Sequence, residues 1–124
     1  MNTEQVLNAI KAERNYQDAK WGKDNPHSNE EWAIIANEEA GEVARAMIEL
    51  WRIHSPKQGM PAKSSQLQLL QELVQYAAVI TAWIENAASD SSEEVDFEKY
   101  AEIRNIQAAA LINQRIGRSV VTPD

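Results

Sequence analysis

Apolar residues recur at three- and four-residue intervals through four stretches of this chain, with polar or turn-forming residues between them. Residues 4–20 carry Val6, Leu7, Ile10 and Tyr16 among Glu, Lys and Gln, which predicts a helix with one apolar stripe. Gly22 suits the left-handed cap that ends helices, and residues 23–27 read as loop. Ser28 and Glu31 stand three apart as a capping box, so a second helix starts there and runs to about His54. Residues 55–61, with Pro56, Gly59 and Pro61, break it. Ser65 with Gln68 reads as a second capping box, opening a third helix to about Ala88. Ser91 with Glu94 reads as a third, opening a fourth helix from about Ser92 to Arg115. Gly117 is its expected stop, with a frayed tail over 117–124. No strand pattern competes, so the expectation is all-α, a single domain over 1–124.

The third helix is apolar nearly all round. Between Leu67 and Ile84 its polar residues are Gln68, Gln71, Glu72, Gln75 and Thr81. That run is too short and too interrupted to span a bilayer. A helix of this kind must be covered on most sides, and three other helices in a chain of 124 residues barely suffice. A four-helix-bundle-like fold completed by oligomerisation follows, a homodimer or homotetramer with this helix or its flanking Trp51 and Trp83 in the interface.

Composition narrows the function. The chain has no cysteine, so disulfides, thiolate catalysis and cysteine–zinc sites are excluded. Its formal net charge of -7 is the wrong sign for a generic nucleic-acid or anionic-membrane binder. Met1 to Glu4 shows no basic and apolar leader, so the expected location is cytoplasmic.

Within the second helix, Glu38, Glu39 and Glu42 place three carboxylates in five residues. Glu39 and Glu42 share a face one turn apart, and Glu38 points to the side. Like charges this close repel. Either the face is solvated, or a cation sits between the carboxylates. On the third helix, Glu72 and Gln75 again share a face, here in apolar surroundings where a lone carboxylate costs several kcal/mol. If the two helices pair antiparallel, Glu39, Glu42, Glu72 and Gln75 converge as oxygen donors for a hard cation, Mg2+ or alternatively Mn2+.

The words Glu39-Ala40-Gly41-Glu42 and Glu72-Leu73-Val74-Gln75 resemble the Glu-x-x-Glu and Glu-x-x-Asp metal signature of the all-alpha nucleoside triphosphate pyrophosphohydrolases, the MazG-like proteins. Residues 15–22 and 77–85 are similar to a small single-domain branch of that family, and the resemblance covers roughly residues 4–86. It departs at Gln75, which stands where the family has aspartate and brings an oxygen without a charge. The resemblance implies hydrolysis of a nucleoside triphosphate to the monophosphate and pyrophosphate. Glu39, Glu42 and Glu72 would then hold the metal with Gln75 as a weak or outer ligand, and Glu39 or Glu38 would take the proton from water. Arg14, Lys20 and Arg45 are candidates for phosphate contacts, each with a solvated-surface alternative. Trp21 either stacks on a base or packs onto the core.

Other chemistries lack their residues. His27 and His54 are the only histidines, and neither follows a glutamate by three, as di-iron bundles require. No serine–histidine pattern and no glycine-rich phosphate loop occurs. The rival reading is a non-catalytic helical dimer that binds nucleotide or protein, with its metal site degraded at Gln75.

Overall fold

A computed structural model describes residues 1–23, 26–53, 63–91 and 93–121, with side chains at all of these except 53, 63, 64 and 118–121. Every regular element among them is helical: α1 Thr3–Trp21, α2 Asn29–Ile53, α3 Lys63–Asp90 and α4 Phe97–Val121. The all-α expectation holds at this level. The chain divides into two compact units, Met1–Asp90 with α1 to α3, and Ser91–Asp124 with α4.

Local chemistry sets the helix ends. The Asn2 side chain accepts the Gln5 N–H at 2.9 Å while Gln5 accepts the Asn2 N–H at 2.9 Å, a reciprocal box that opens α1. Gly22 closes it with φ +91°, a conformation other residues rarely adopt, and its N–H donates to the Asp18 carbonyl at 2.9 Å. The Ser28–Glu31 box forms as expected, with bonds of 3.1 and 3.2 Å. The expected break over 55–61 lies outside the described residues, as does His54.

Three boundaries correct the sequence reading. First, α3 begins at Lys63, so Ser65 lies inside its first turns and does not cap it. Secondly, α4 begins at Phe97, where Asp96 accepts the Lys99 N–H at 2.9 Å, and Ser91 only takes the Glu93 N–H at 3.2 Å. Aspartate caps as well as serine and stands next to the apolar run. Thirdly, α4 passes through Gly117 to Val121. A glycine inside a helix costs about 1 kcal/mol but ends it only by turning left-handed, and among the described residues only Gly22 has positive φ. The fraying expected from residue 117 therefore does not start at a glycine stop, and residues 122–124 lie outside the described set.

In the first unit α3 is central, packing against α2 and against α1. The buried side chains among the described residues are Ala36, Ala46, Leu50, Ala78, Val79 and Ala82. Four are alanines, so α2 and α3 approach closely over a thin core. The apolar stripe expected on α1 is another correction. Leu7 and Tyr16 are exposed, and the half-buried face is Ala9, Ile10, Glu13, Arg14, Gln17 and Asp18. Arg14 explains the difference. Its guanidinium, only 15% exposed, pairs with Asp18 at 3.0 Å and with Glu85 of α3 at 3.1 Å, fixing that face inward.

Candidate functional site

One stripe of α2 turns toward α3: Trp32, Ala36, Glu39, Val43, Ala46 and Leu50, at three- and four-residue spacing. Glu39 thus occupies a position where the period calls for an apolar side chain. On α3 the corresponding half-buried and buried positions include Leu69, Glu72, Tyr76, Val79, Trp83 and Asn86. Two side-chain bonds fix how the stripes are aligned. The Trp32 indole donates to the Asn86 carboxamide at 2.7 Å, and the Trp83 indole donates to Asn29 at 3.0 Å. Asn29 and Trp32 are one turn apart on α2, as are Trp83 and Asn86 on α3. In an antiparallel pair the two bonds therefore cross, and a one-turn slip in either direction would separate the partners of at least one of them.

That alignment brings Glu39, Glu42 and Glu72 together. Each offers a carboxylate oxygen, and these atoms lie within 4.8 Å of one another. Glu39 and Glu72 are half-buried and Glu42 is exposed, so the group opens to solvent at one side. The Oε2 atoms of Glu39 and Glu72 are enclosed from solvent and have no hydrogen-bond partner among the described residues. Burial pushes the Glu39 carboxyl above the ordinary range, and the charges of Glu42, Glu72, Glu13 and Glu38 push the same way. Glu72 is likewise raised, by burial first and then by the close approach of the Glu42 carboxylate. An enclosed carboxylate oxygen without a donor calls for a proton or a cation. The donor set, three hard oxygens, is the type that Mg2+ and Mn2+ take, with positions left for water or substrate oxygens.

The remaining sequence candidates fall around this group or away from it. Gln75 is half-buried on α3, one turn beyond Glu72. Glu38 is exposed beside the triad, and its charge is the weakest of those raising Glu39. Arg45 is exposed on α2 one turn beyond Glu42. Arg14 is engaged by Asp18 and Glu85, with its Nε enclosed and unpartnered among the described residues. Lys20 is exposed with its ammonium 4.8 Å from the Trp21 ring centre and 6.0 Å from that of Tyr16. Trp21 is 65% exposed, which leaves its ring face free of core packing among the described residues.

Glu13 is the residue that the sequence reading missed. It is half-buried on the α1 face that holds Arg14, accepts a bond from Gln17 at 3.4 Å, and its charge is felt by Glu39. Its neighbour Arg14 was the available signal, since an arginine paired with an acidic residue of another helix fixes which side of α1 turns inward. Compared with family models, with curated proteins and with solved structures, the chain matches none.

Proposed function

We propose that this chain is a magnesium-dependent nucleoside triphosphate pyrophosphohydrolase of the MazG-like kind, converting a (d)NTP and water to the (d)NMP and pyrophosphate. The observation that carries the reading is the approach of Glu39, Glu42 and Glu72 within 4.8 Å, with two enclosed carboxylate oxygens that lack partners. Solvated surface carboxylates have no reason to leave oxygens enclosed and unbonded. Held by these three, with Gln75 as a neutral fourth, Mg2+ or Mn2+ would offset the charge of the triphosphate and acidify a bound water. Glu39, half-buried within the group, is the first candidate to take the proton from that water. Glu38, exposed beside it, is the second candidate for that role. Arg45 is free to meet phosphate oxygens, and Lys20 with Trp21 presents a cation and a ring face at the end of α1. Arg14 is better placed to hold α1 against α3 than to bind phosphate.

A homodimer or homotetramer belongs to this proposal. Leu67, Leu70, Leu73 and Ile84 of α3 and Trp51 of α2 are exposed over a core built largely of alanine, and a second copy would cover them. Nucleic acid and membrane are not proposed as partners; among the described residues no helix is long and apolar enough to cross a bilayer.

The neutral Gln75 favours one second reading, a nucleotide- or protein-binding module with a weakened cation site. Pyrophosphate release, screened over the common ribo- and deoxyribonucleoside triphosphates with Mg2+ and with Mn2+, separates the two. Release from at least one triphosphate that disappears in Glu39→Gln supports the enzyme. A magnesium-dependent rise in melting temperature without any release supports the binding module. Absence of both the release and the melting rise would overturn the metal site itself.

A further inference from the structure

Glu39 and Glu72 each stand in the packed stripe of their helix, and α1 repeats the pattern. Its half-buried positions, Ala9, Ile10, Glu13, Arg14, Gln17 and Asp18, follow the three- and four-residue period, and Glu13 lies in the middle of that face. All three helices of the first unit thus turn a glutamate inward where the period calls for an apolar side chain. Solvation does not account for three such placements, because burial and mutual repulsion both oppose a carboxylate drawn in beside others.

Arg14 is the cation nearest to Glu13 in the sequence, yet its guanidinium is committed elsewhere. It holds Asp18 at 3.0 Å and Glu85 of α3 at 3.1 Å. The bond to Glu85 is the one side-chain hydrogen bond among the described residues that joins α1 to another helix, so it fixes how α1 lies on α3. Glu13 keeps a bond from Gln17 at 3.4 Å and has no ion-pair partner among the described residues. Its charge weighs more on Glu39 than does that of Glu38, the next residue in the chain. A residue of another helix that outweighs a chain neighbour lies on the same side as the carboxylate group. The oxygens gathered within 4.8 Å belong to Glu39, Glu42 and Glu72, so Glu13 stands outside that ligand set. On the α3 side the next polar position, Gln75, is neutral.

We propose that Glu13 is a fourth carboxylate of the site, docked there by the Arg14–Glu85 pair and supplying from α1 the negative charge that Gln75 does not. This role rests on the cation reading of Glu39, Glu42 and Glu72. A divalent cation is drawn by every carboxylate near it, and a partly buried setting screens that attraction less than water does. Glu13 is in these terms a positioning residue, acting on the ion by its charge rather than as a ligand.

Calorimetric titration of the full-length protein with Mg2+ alone tests this. Glu39→Gln should abolish binding. Glu13→Gln keeps the size of the side chain and an acceptor for Gln17, and should weaken binding about threefold or more with unchanged helical circular dichroism. Glu4→Gln, exposed in the first turn of the same helix, removes the same charge and should leave the affinity within about twofold. Adding Gln75→Asp to Glu13→Gln should return the affinity to about that of the unmodified chain, which a purely structural role for Glu13 would not allow. If the unmodified chain binds Mg2+, Glu39→Gln abolishes this and Glu13→Gln binds as tightly as the unmodified chain, Glu13 has no part in the site and the cation reading stands. Equal weakening by Glu4→Gln and Glu13→Gln overturns the proposal too, since net charge alone then accounts for it, as does a double variant no tighter than Glu13→Gln. An unmodified chain that binds no Mg2+ overturns both the role of Glu13 and the cation reading beneath it.

Discussion

Glu39 sits in the packed stripe of α2 with one oxygen enclosed and three other carboxylates acting on it besides Glu38. Removing its charge should therefore help the metal-free protein and harm the metal-bound one. Glu39→Gln should raise the melting temperature in chelator and abolish any rise produced by Mg2+, as followed by thermal unfolding. The pH dependence has a fixed sign. Glu39 and Glu72 hold their protons more tightly folded than unfolded, so the stability they contribute is complete below the ordinary carboxylate range and is lost as pH rises through their raised values. Glu31 acts oppositely: the Ser28 N–H and then His27 lower its pKa, so its contribution is lost as pH falls through that lowered value. Urea titrations in chelator should show stability rising as pH drops from neutrality toward the ordinary range, and Glu39→Gln should flatten that slope. Gln75 supplies a further test. Gln75→Asp should strengthen cation binding by about 1–3 kcal/mol, the range of a charge-assisted contact, and should lower the melting temperature in chelator by adding a repelling charge. If calorimetry shows no gain in Mg2+ affinity and chelator melting is unchanged, Gln75 does not face the triad.

At the scale of elements, the pairing of α2 and α3 depends on two crossed indole–carboxamide bonds. Asn86→Ala should cost about 1 kcal/mol, the usual net value of such a bond, and Asn29→Ala a similar amount. The double variant should cost more than the sum, because either bond alone still resists slipping; chemical denaturation of the three variants measures this coupling. Much of this level was legible in the sequence. Helix number, the Ser28–Glu31 box and the facing of Glu39, Glu42 and Glu72 all follow from spacing along single helices and one short connection. What escaped depends on contacts between helices. The inward face of α1 is chosen by Arg14 reaching Glu85, across 71 positions of sequence, rather than by the apolar side chains nearby. The Trp–Asn bonds each span 54 positions, and no local pattern announces them. The starts of α3 and α4 were misread because several residues in each lead-in can cap. Local propensity alone does not choose among them.

For the whole molecule, a net charge of -7 and a sequence pI of 4.8 mean that acidic repulsion opposes both compaction and association at neutral pH. Divalent cations should therefore stabilise the protein beyond what equal ionic strength of sodium chloride achieves, and the excess should vanish in Glu72→Gln. Association through the α3 face has its own check: Leu73→Glu, at a 43% exposed position, should lower the mass seen by light scattering without lowering helicity. The crossed bonds between α2 and α3 have an optical consequence as well. They sort the four tryptophans into two pairs, Trp32 and Trp83 hydrogen-bonded at the seam, and Trp21 and Trp51 exposed at 65% and 70%. Acrylamide should quench the native emission in two phases, the redder half first. Only the slow, bluer phase reports whether the two carboxylate-bearing helices remain in register, so its disappearance during titration with denaturant would time the loss of the site separately from the melting of the helices.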